Sequence, residues 1–289
     1  MIGRLAAARR ALPERVAAPA LTWRLRALPV CASTERELER WLVGSGGKWA
    51  LSGSARLEHP LAVLARRQRF GHGQLGRPWS SPAGGVWLSA ALPWPQEPSA
   101  AASLALAVAV GLALELEALA LPVRIKWPND LLLELPRGRL AKVAGLLPGL
   151  RLRGGFVRWA RMGVGLNGRN PVPPGATNLV PLLGVARADP VRLAARVLAA
   201  LEWAVAWAER PEAVRALAER RLLLPPEPLW LEGEAWRAVG LATDGGLVLC
   251  RGEQRRVLQR LVPPVFEAAS GGAGCQAVAQ ATAPAQSSS

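Results

Sequence analysis

Residues 99–119, SAAASLALAVAVGLALELEAL, are apolar on nearly every side of a helical wheel. A helix of that kind cannot lie on a surface. It has to be covered all round, so the rest of the chain must build layers about it. The chain has 289 residues, 51% of them hydrophobic, enough for one large domain or a large and a small one. No run of eighteen apolar residues occurs, which predicts a soluble protein without a membrane span, in the cytoplasm.

The flanking segments supply those layers. ASTERELERWLV (32–43) predicts a helix that Ser33 or Thr34 can cap, with Leu38, Trp41 and Leu42 at apolar spacing. Strands are predicted at 60–70, leading into a glycine-rich loop, and at 84–94, 142–150 and 155–167; VRIKWP reads as a strand ended by a proline-forced turn. Residues 189–222 are helical and amphipathic. From about 226 the pattern changes to short strands, with a hairpin turn at Asp244-Gly245-Gly246. These readings give an α+β chain in four parts. They are an N-terminal extension (1–22) with one short helical pattern, a large domain (23–224), a small barrel-like domain (225–267) and a small, polar tail (268–289) expected to be disordered.

The net charge of +15 suggests an anionic partner. Nucleic acid is discounted, because the arginines are scattered, tyrosine is absent and no zinc-finger, basic-zipper or aromatic-plus-basic strand signature accompanies the charge. Arginine has replaced lysine almost everywhere, so Lys48, Lys126 and Lys142 stand out, as do the only aspartates, Asp130, Asp189 and Asp244. A compact ammonium and a guanidinium fork are not interchangeable where a point charge is needed. Cys31, Cys250 and Cys275 form no close pair and no metal spacing, as expected of idle thiols in a reducing compartment. Residues 1–20 are acid-poor and loosely resemble a transit peptide.

Four short motifs carry chemistry, each with a plainer alternative. RQRFGHGQLGRPW (67–79) sets Gly71, Gly73 and Gly76 before Arg77 and Trp79; such glycines admit phosphate to the backbone, or simply make a turn. KWPND (126–130) offers Asn129 and Asp130 to a metal or nucleotide, or to its own backbone. KVAG begins with Lys142, a buried cation or a snorkelling surface group. GVGLNG (163–168) ends a strand with Gly163, Gly165 and Asn167, as a ligand floor or a tight turn.

Taken in order, Ser-Thr-Glu, Gln-x-x-Gly-x-Gly-x-x-Gly-Arg-x-Trp, KWPND, KVAG and GVGLN resemble the biotin protein ligase family over roughly residues 25–265. The lack of room for a winged helix places the resemblance with the single-function class. It implies a class II synthetase-like mixed sheet with flanking helices, followed by an SH3-like barrel. It also implies that biotin and Mg-ATP form biotinyl-5′-AMP, from which biotin passes to a lysine of the biotin carboxyl carrier protein of acetyl-CoA carboxylase. No nucleic acid or membrane partner is implied, and the chain is a monomer or a homodimer.

Carried over position by position, the resemblance gives Ser33, Thr34 and Gln68 to the biotin ureido group. Gly71, His72, Gly73, Gln74, Gly76 and Arg77 form the loop over carboxylate and phosphate. Lys142 joins Arg77 as the catalytic cation, touching both the biotin carboxylate and the α-phosphate. Gly145, Gly163 and Gly165 admit the bicyclic ring. Trp79 and Asn167 flank adenine, and Lys126, Asn129 and Asp130 serve the nucleotide, with Asp130 as magnesium ligand. His72 and Gln74 stand where the family commonly has arginine, Ala32 where it has Asp, and Glu35 where it has Asn. The rival readings are a lipoate-type ligase of the same fold and a weakly active biotin-binding homologue. An octanoyltransferase would need a catalytic cysteine in a matching context, and none of the three sits in one.

Overall fold

The computed structural model describes residues 1–12, 21–44, 57, 59–95, 103–153 and 155–259. Seven strands make one sheet: β1 (Arg24–Leu28), β2 (Leu61–Ala65), β3 (Val86–Leu92), β4 (Val123–Lys126), β5 (Asp130–Leu135), β6 (Arg139–Arg153) and β7 (Phe156–Leu166). Their spatial order is β1-β2-β3-β7-β6-β5-β4. β1 and β2 are parallel and the other neighbours antiparallel. The expected mixed sheet with flanking helices is therefore present.

Side chains alternate across a strand, and this sheet uses each face differently. From β3 and β7, Val86, Leu88, Ala90, Leu92, Ala160, Met162, Val164 and Leu166 join the main core. The alternate residues Ala91 and Trp159 join a second cluster under α2 (Thr34–Gly44), where Leu38 and Leu42 also lie. Continuing that second face, Ser89 is paired with Gly163 and Trp87 with Gly165. Two glycines thus leave the backbone bare where the second face passes beyond α2.

The main core holds α3 (Leu104–Glu117), whose residues 104–113 are all buried. It packs against α5 (Pro190–Ala206), which begins with Asp189 accepting hydrogen bonds from the N–H groups of Val191 and Arg192. Gly111 sits in the middle of α3, at a cost of about 1 kcal/mol against alanine. The reason is close approach: a Cβ there would stand 2.5 Å from the Ala200 carbonyl oxygen. α4 (Val180–Arg187) precedes α5 and α6 (Pro211–Glu219) follows it.

The N-terminal extension is bound to this body. α1 (Ile2–Arg10) buries Leu5 in the main core. Glu202 of α5, itself buried, accepts hydrogen bonds from Arg9, the Leu21 N–H at 2.9 Å and the Trp23 indole N–H at 2.9 Å. Three donors offset the desolvation of one carboxylate.

After α6 come β8 (Leu229–Leu231), β9 (Glu234–Leu241), β10 (Leu247–Arg251) and β11 (Gln254–Leu258), an antiparallel sheet of order β11-β10-β9-β8 around the buried Trp236. The turn at 244–246 forms as expected, with the Gly246 N–H donating to Asp244 Oδ1 at 2.9 Å. Lys48, Cys275, the end of the small domain and the tail 268–289 lie outside the described residues. No helix among the described residues is long and apolar enough to cross a membrane.

Several expected boundaries shift. The strand read at 60–70 stops at Ala65 because Arg66–Ser80 form the loop, and the helical stretch 189–222 is two helices broken at Arg210. β1, β5 and α4 were not expected: β1 and α4 are short, and LLLEL follows the KWPND turn without a break.

Candidate active site

A cavity of ≈ 440 Å³ opens on the second face of the sheet, bounded by the start of α2, the loop 68–80, strands β3, β5, β6 and β7, and the segment 170–176. Its residues come from five separate sequence motifs.

One end is polar and tightly hydrogen-bonded. Ser33 caps α2, accepting from the Glu35 N–H at 3.2 Å. The Thr34 N–H and hydroxyl both donate to Gln68 Oε1, at 2.8 and 3.0 Å. The Thr34 and Ser89 hydroxyl oxygens are 2.8 Å apart, and Gln68 Nε2 donates to Ser81 Oγ at 2.8 Å. Because the Thr34 proton goes to Gln68, Ser89 is the donor in its pair. Ser33, Thr34 and Ser89 are all buried, so this network has fixed geometry.

The other end is ionic. Lys142 on β6 meets Asp130 at the start of β5, Nζ to Oδ1 2.7 Å. The two strands are neighbours, with Lys142 opposite Leu132 and a register shift between Leu131 and Leu132 that swings Asp130 toward the ammonium. Asn129 is pinned to β6, its Nδ2 donating to the Leu146 carbonyl at 2.8 Å while the Leu146 N–H donates to the Asn129 carbonyl at 2.9 Å. Arg77 reaches the cavity from the exposed loop.

Between the ends lies Trp79. Cβ atoms built on Gly145 and Gly165, which face each other across β6 and β7, would fall 2.9 and 2.6 Å from its ring. Only glycine lets the indole rest on both strands. Lys142 Nζ stands 4.9 Å from the ring centroid, a cation–π contact. The Trp79 indole N–H is buried and has no hydrogen-bond partner among the described residues.

Fifteen of the expected residues line this cavity: Ser33, Thr34, Gln68, His72, Gly73, Gln74, Arg77, Trp79, Asn129, Asp130, Lys142, Gly145, Gly163, Gly165 and Asn167. Gly71, Gly76 and Lys126 do not. Gly71 packs against Ser81 and Trp79, Gly76 turns the loop with φ +70°, and Lys126 is exposed on β4. Asn167 is buried and already engaged, donating to the Thr177 carbonyl and accepting from Asn170, so it also shapes the loop that follows.

The cavity includes residues that the motif reading left out. Asn170 and the Pro171–Ala176 segment wall one side, held by the Lys142 N–H donating to the Gly175 carbonyl at 3.1 Å and the Thr177 N–H donating to the Lys142 carbonyl at 2.9 Å. The NPVPPGATN run was a visible loop signal. Glu35 also lines the cavity. It and His72, two positions that depart from the resembled pattern, meet at 2.7 Å, and Arg161 clamps Glu35 at 2.5 Å and Glu39 at 2.6 Å. Cys31 is not among the lining residues. Burial, aided by the Glu37 carboxylate, pushes its thiol up to about 11, the opposite of what a nucleophilic thiolate requires.

Residues 48–167 match the model of the biotin/lipoate A/B protein ligase family. No curated protein matches the sequence. Among solved structures, a biotin protein ligase from Aquifex aeolicus in complex with biotin and ATP is similar with TM-score 0.61 and 25% identity, covering 82% of this chain and 95% of that one. A mutant of that enzyme in complex with biotin gives TM-score 0.58 and 26% identity over 81% and 94%. A biotin protein ligase-like protein of unknown function from Silicibacter gives TM-score 0.56 at 17% identity, over 83% and 95%, a likeness of fold. The segment that matches the biotin/lipoate A/B protein ligase model is the one that brings the glycine loop, Asn129 and Asp130 of KWPND, Lys142 and GVGLN to one cavity.

Proposed function

We propose that the protein activates biotin with Mg-ATP to biotinyl-5′-AMP and then transfers biotin to a lysine of a biotin carboxyl carrier protein. The observation that carries this reading is the single cavity with a buried hydroxyl–amide network at one end and Lys142, Asp130 and Asn129 at the other. A biotin-sized ligand has the matching polarity, with a ureido group at one end and a carboxylate at the other.

In the first step the biotin carboxylate oxygen attacks the α-phosphorus and pyrophosphate leaves. Two anions must approach, so the site has to supply fixed positive charge. Lys142 is the buried-side cation and Arg77 the loop cation. The Trp79 N–H, which lacks an acceptor among the described residues, is a donor that a ligand oxygen would satisfy. In the second step the carrier lysine, as free amine, attacks the acyl carbon of the mixed anhydride and AMP leaves with the bonding electrons.

No group of three or more His, Cys, Asp or Glu able to hold a metal gathers among the described residues. Magnesium takes most of its ligands from water and phosphate, so the one carboxylate at this end, Asp130, suits an ion carried in with the nucleotide. Lys126, exposed on β4, would act on the phosphates only from outside the cavity. The small sheet is read as an SH3-like barrel, and the cytoplasm as the compartment.

The second reading, a lipoate-type ligase, has the family match in its favour. The polar network weighs against it, because a dithiolane brings no amide-like donor or acceptor to the hydroxyls and amide gathered at that end. Incubation with radiolabelled biotin or lipoate, ATP and carrier decides between them. Biotin-dependent pyrophosphate release and carrier labelling are expected; labelling with lipoate alone would overturn the biotin reading.

A further inference from the structure

The turn between β4 and β5 has two sides. Asn129 and Asp130 line the cavity, whereas Trp127 and Pro128 do not. Trp127 instead packs against the main core, and its indole N–H donates to the Gly245 carbonyl at 2.9 Å. Gly245 lies in the β9–β10 turn of the small sheet. That turn is braced independently: the Ala242 N–H donates to the Gly246 carbonyl at 2.8 Å, the Gly245 N–H to the Ala242 carbonyl at 2.9 Å, and Asp244 accepts from the Gly246 N–H and from Gln259.

The supports of the β4–β5 turn come from three directions. β4 is held at its outer edge, where the Ile125 N–H donates to the Arg221 carbonyl and the Leu223 N–H donates to the Ile125 carbonyl, each at 2.8 Å. Asn129 is held on β6. Trp127, between them, is held by the small sheet. The Trp127 bond thus ties the first half of the turn to a different element from the one that holds Asn129.

We propose that Trp127 is a positioning residue through which the small C-terminal sheet sets the placement of Asn129 and Asp130, and thereby the hold of the site on the nucleotide. The proposal rests on the reading of the cavity as an ATP-dependent acyl-activating site and deepens it. Trp127 touches no reacting atom. Its bond to Gly245 fixes the start of the turn, and Asp130, three residues on, must stand 2.7 Å from Lys142.

The test uses full-length Trp127→Phe, which keeps a ring on the core but loses the donor, Asp244→Ala, which loosens the turn that carries Gly245, and the double variant. Hydrogen exchange should quicken in the peptide 125–133 and at the Leu146 amide in both single variants. KM for ATP should rise about fivefold in each, the fold-change of one lost neutral hydrogen bond, with no further rise in the double variant. KM for biotin and kcat should hold. Glu202→Gln, which weakens the fold near α1, should leave KM for ATP unchanged. The proposal is overturned if exchange in 125–133 does not change, if the double variant adds the two effects, or if both KM values rise together with lost stability. Wild-type protein that neither binds Mg-ATP by calorimetry nor releases pyrophosphate with biotin would sink the ligase reading instead, and the exchange measurement would still decide the positioning.

Discussion

Lys142 sits where substitution is most informative, because its ammonium contacts both Asp130 and the Trp79 ring. Lys142→Ala should lower biotin-dependent pyrophosphate release by about 10²–10³-fold, the usual cost of one transition-state donor, with the melting temperature little changed. Lys142→Arg should also be poor, since a planar fork cannot stand in for a compact charge between two strands. Near-normal release by either variant would remove Lys142 from the mechanism. In the loop, Gln74→Arg adds a cation at the cavity wall and should slow dissociation of preformed biotinyl-AMP by roughly tenfold, if a charge-assisted bond to phosphate forms; an unchanged rate would mean that other groups already hold the phosphate. Cys31 offers a pH test. Its thiol is raised from 9.0 to about 11, so it stays protonated at pH 8 and should resist iodoacetamide that modifies Cys250, which is only partly buried. With the folded value raised, the stability tied to this thiol is intact below pH 9 and is lost as pH climbs toward 11.

Among the elements, β7 shows how a two-residue period becomes a site. Gly163 and Gly165 were legible as a strand end, read as a ligand floor or a tight turn, and the structure adds what lies on Gly165, the Trp79 ring, while Gly163 faces Leu147. Gly165→Ala would place a Cβ 2.6 Å from the indole nitrogen, so the ring must leave the strand; KM for the acyl substrate should rise about tenfold or more, the loss of 1.4 kcal/mol of fit. Titration of the variant with biotin, followed by calorimetry, checks this. The long buried α3, the amphipathic α2 and the glycine loop could be read from the sequence because each is decided by local periodicity or turn chemistry. The clamp of Arg161 on Glu35 and the Trp127–Gly245 bond could not, because they join residues more than a hundred positions apart and no pattern in one chain signals the pairing. Lys126 is the converse case: it lies inside a strong motif and pairs with Asp130, yet at the edge of the sheet it is exposed and outside the cavity lining.

For the whole molecule, the two sheets are joined through β4 and α6, where Glu219 accepts from the Leu241 N–H at 3.1 Å and Trp127 reaches Gly245. Motif positions alone, all before residue 170, predict that removing 226–289 affects transfer to the carrier more than adenylation. The Trp127 contact changes the expectation for the first step. The truncated chain should lose nucleotide affinity as well as carrier labelling, whereas removal of 268–289 alone should alter neither. Pyrophosphate release and carrier labelling, measured separately, distinguish these outcomes; full-rate labelling by the shorter chain would show that the small sheet is dispensable. Glu202→Ala at the opposite end should lower stability by about 1–3 kcal/mol, the cost of stranding buried donors, read as a fall in denaturation midpoint.

The same contact carries a consequence for biosynthesis. Arg9 and Glu202 are 193 positions apart. Translation at about 5–20 residues per second puts about 10–40 s between their appearances. A nine-residue helix is marginal by itself in water, so for that interval the segment that will become α1 has nothing to fold onto. It is made long before the surface that holds it, and it should be among the last pieces of the nascent chain to gain protection from a protease.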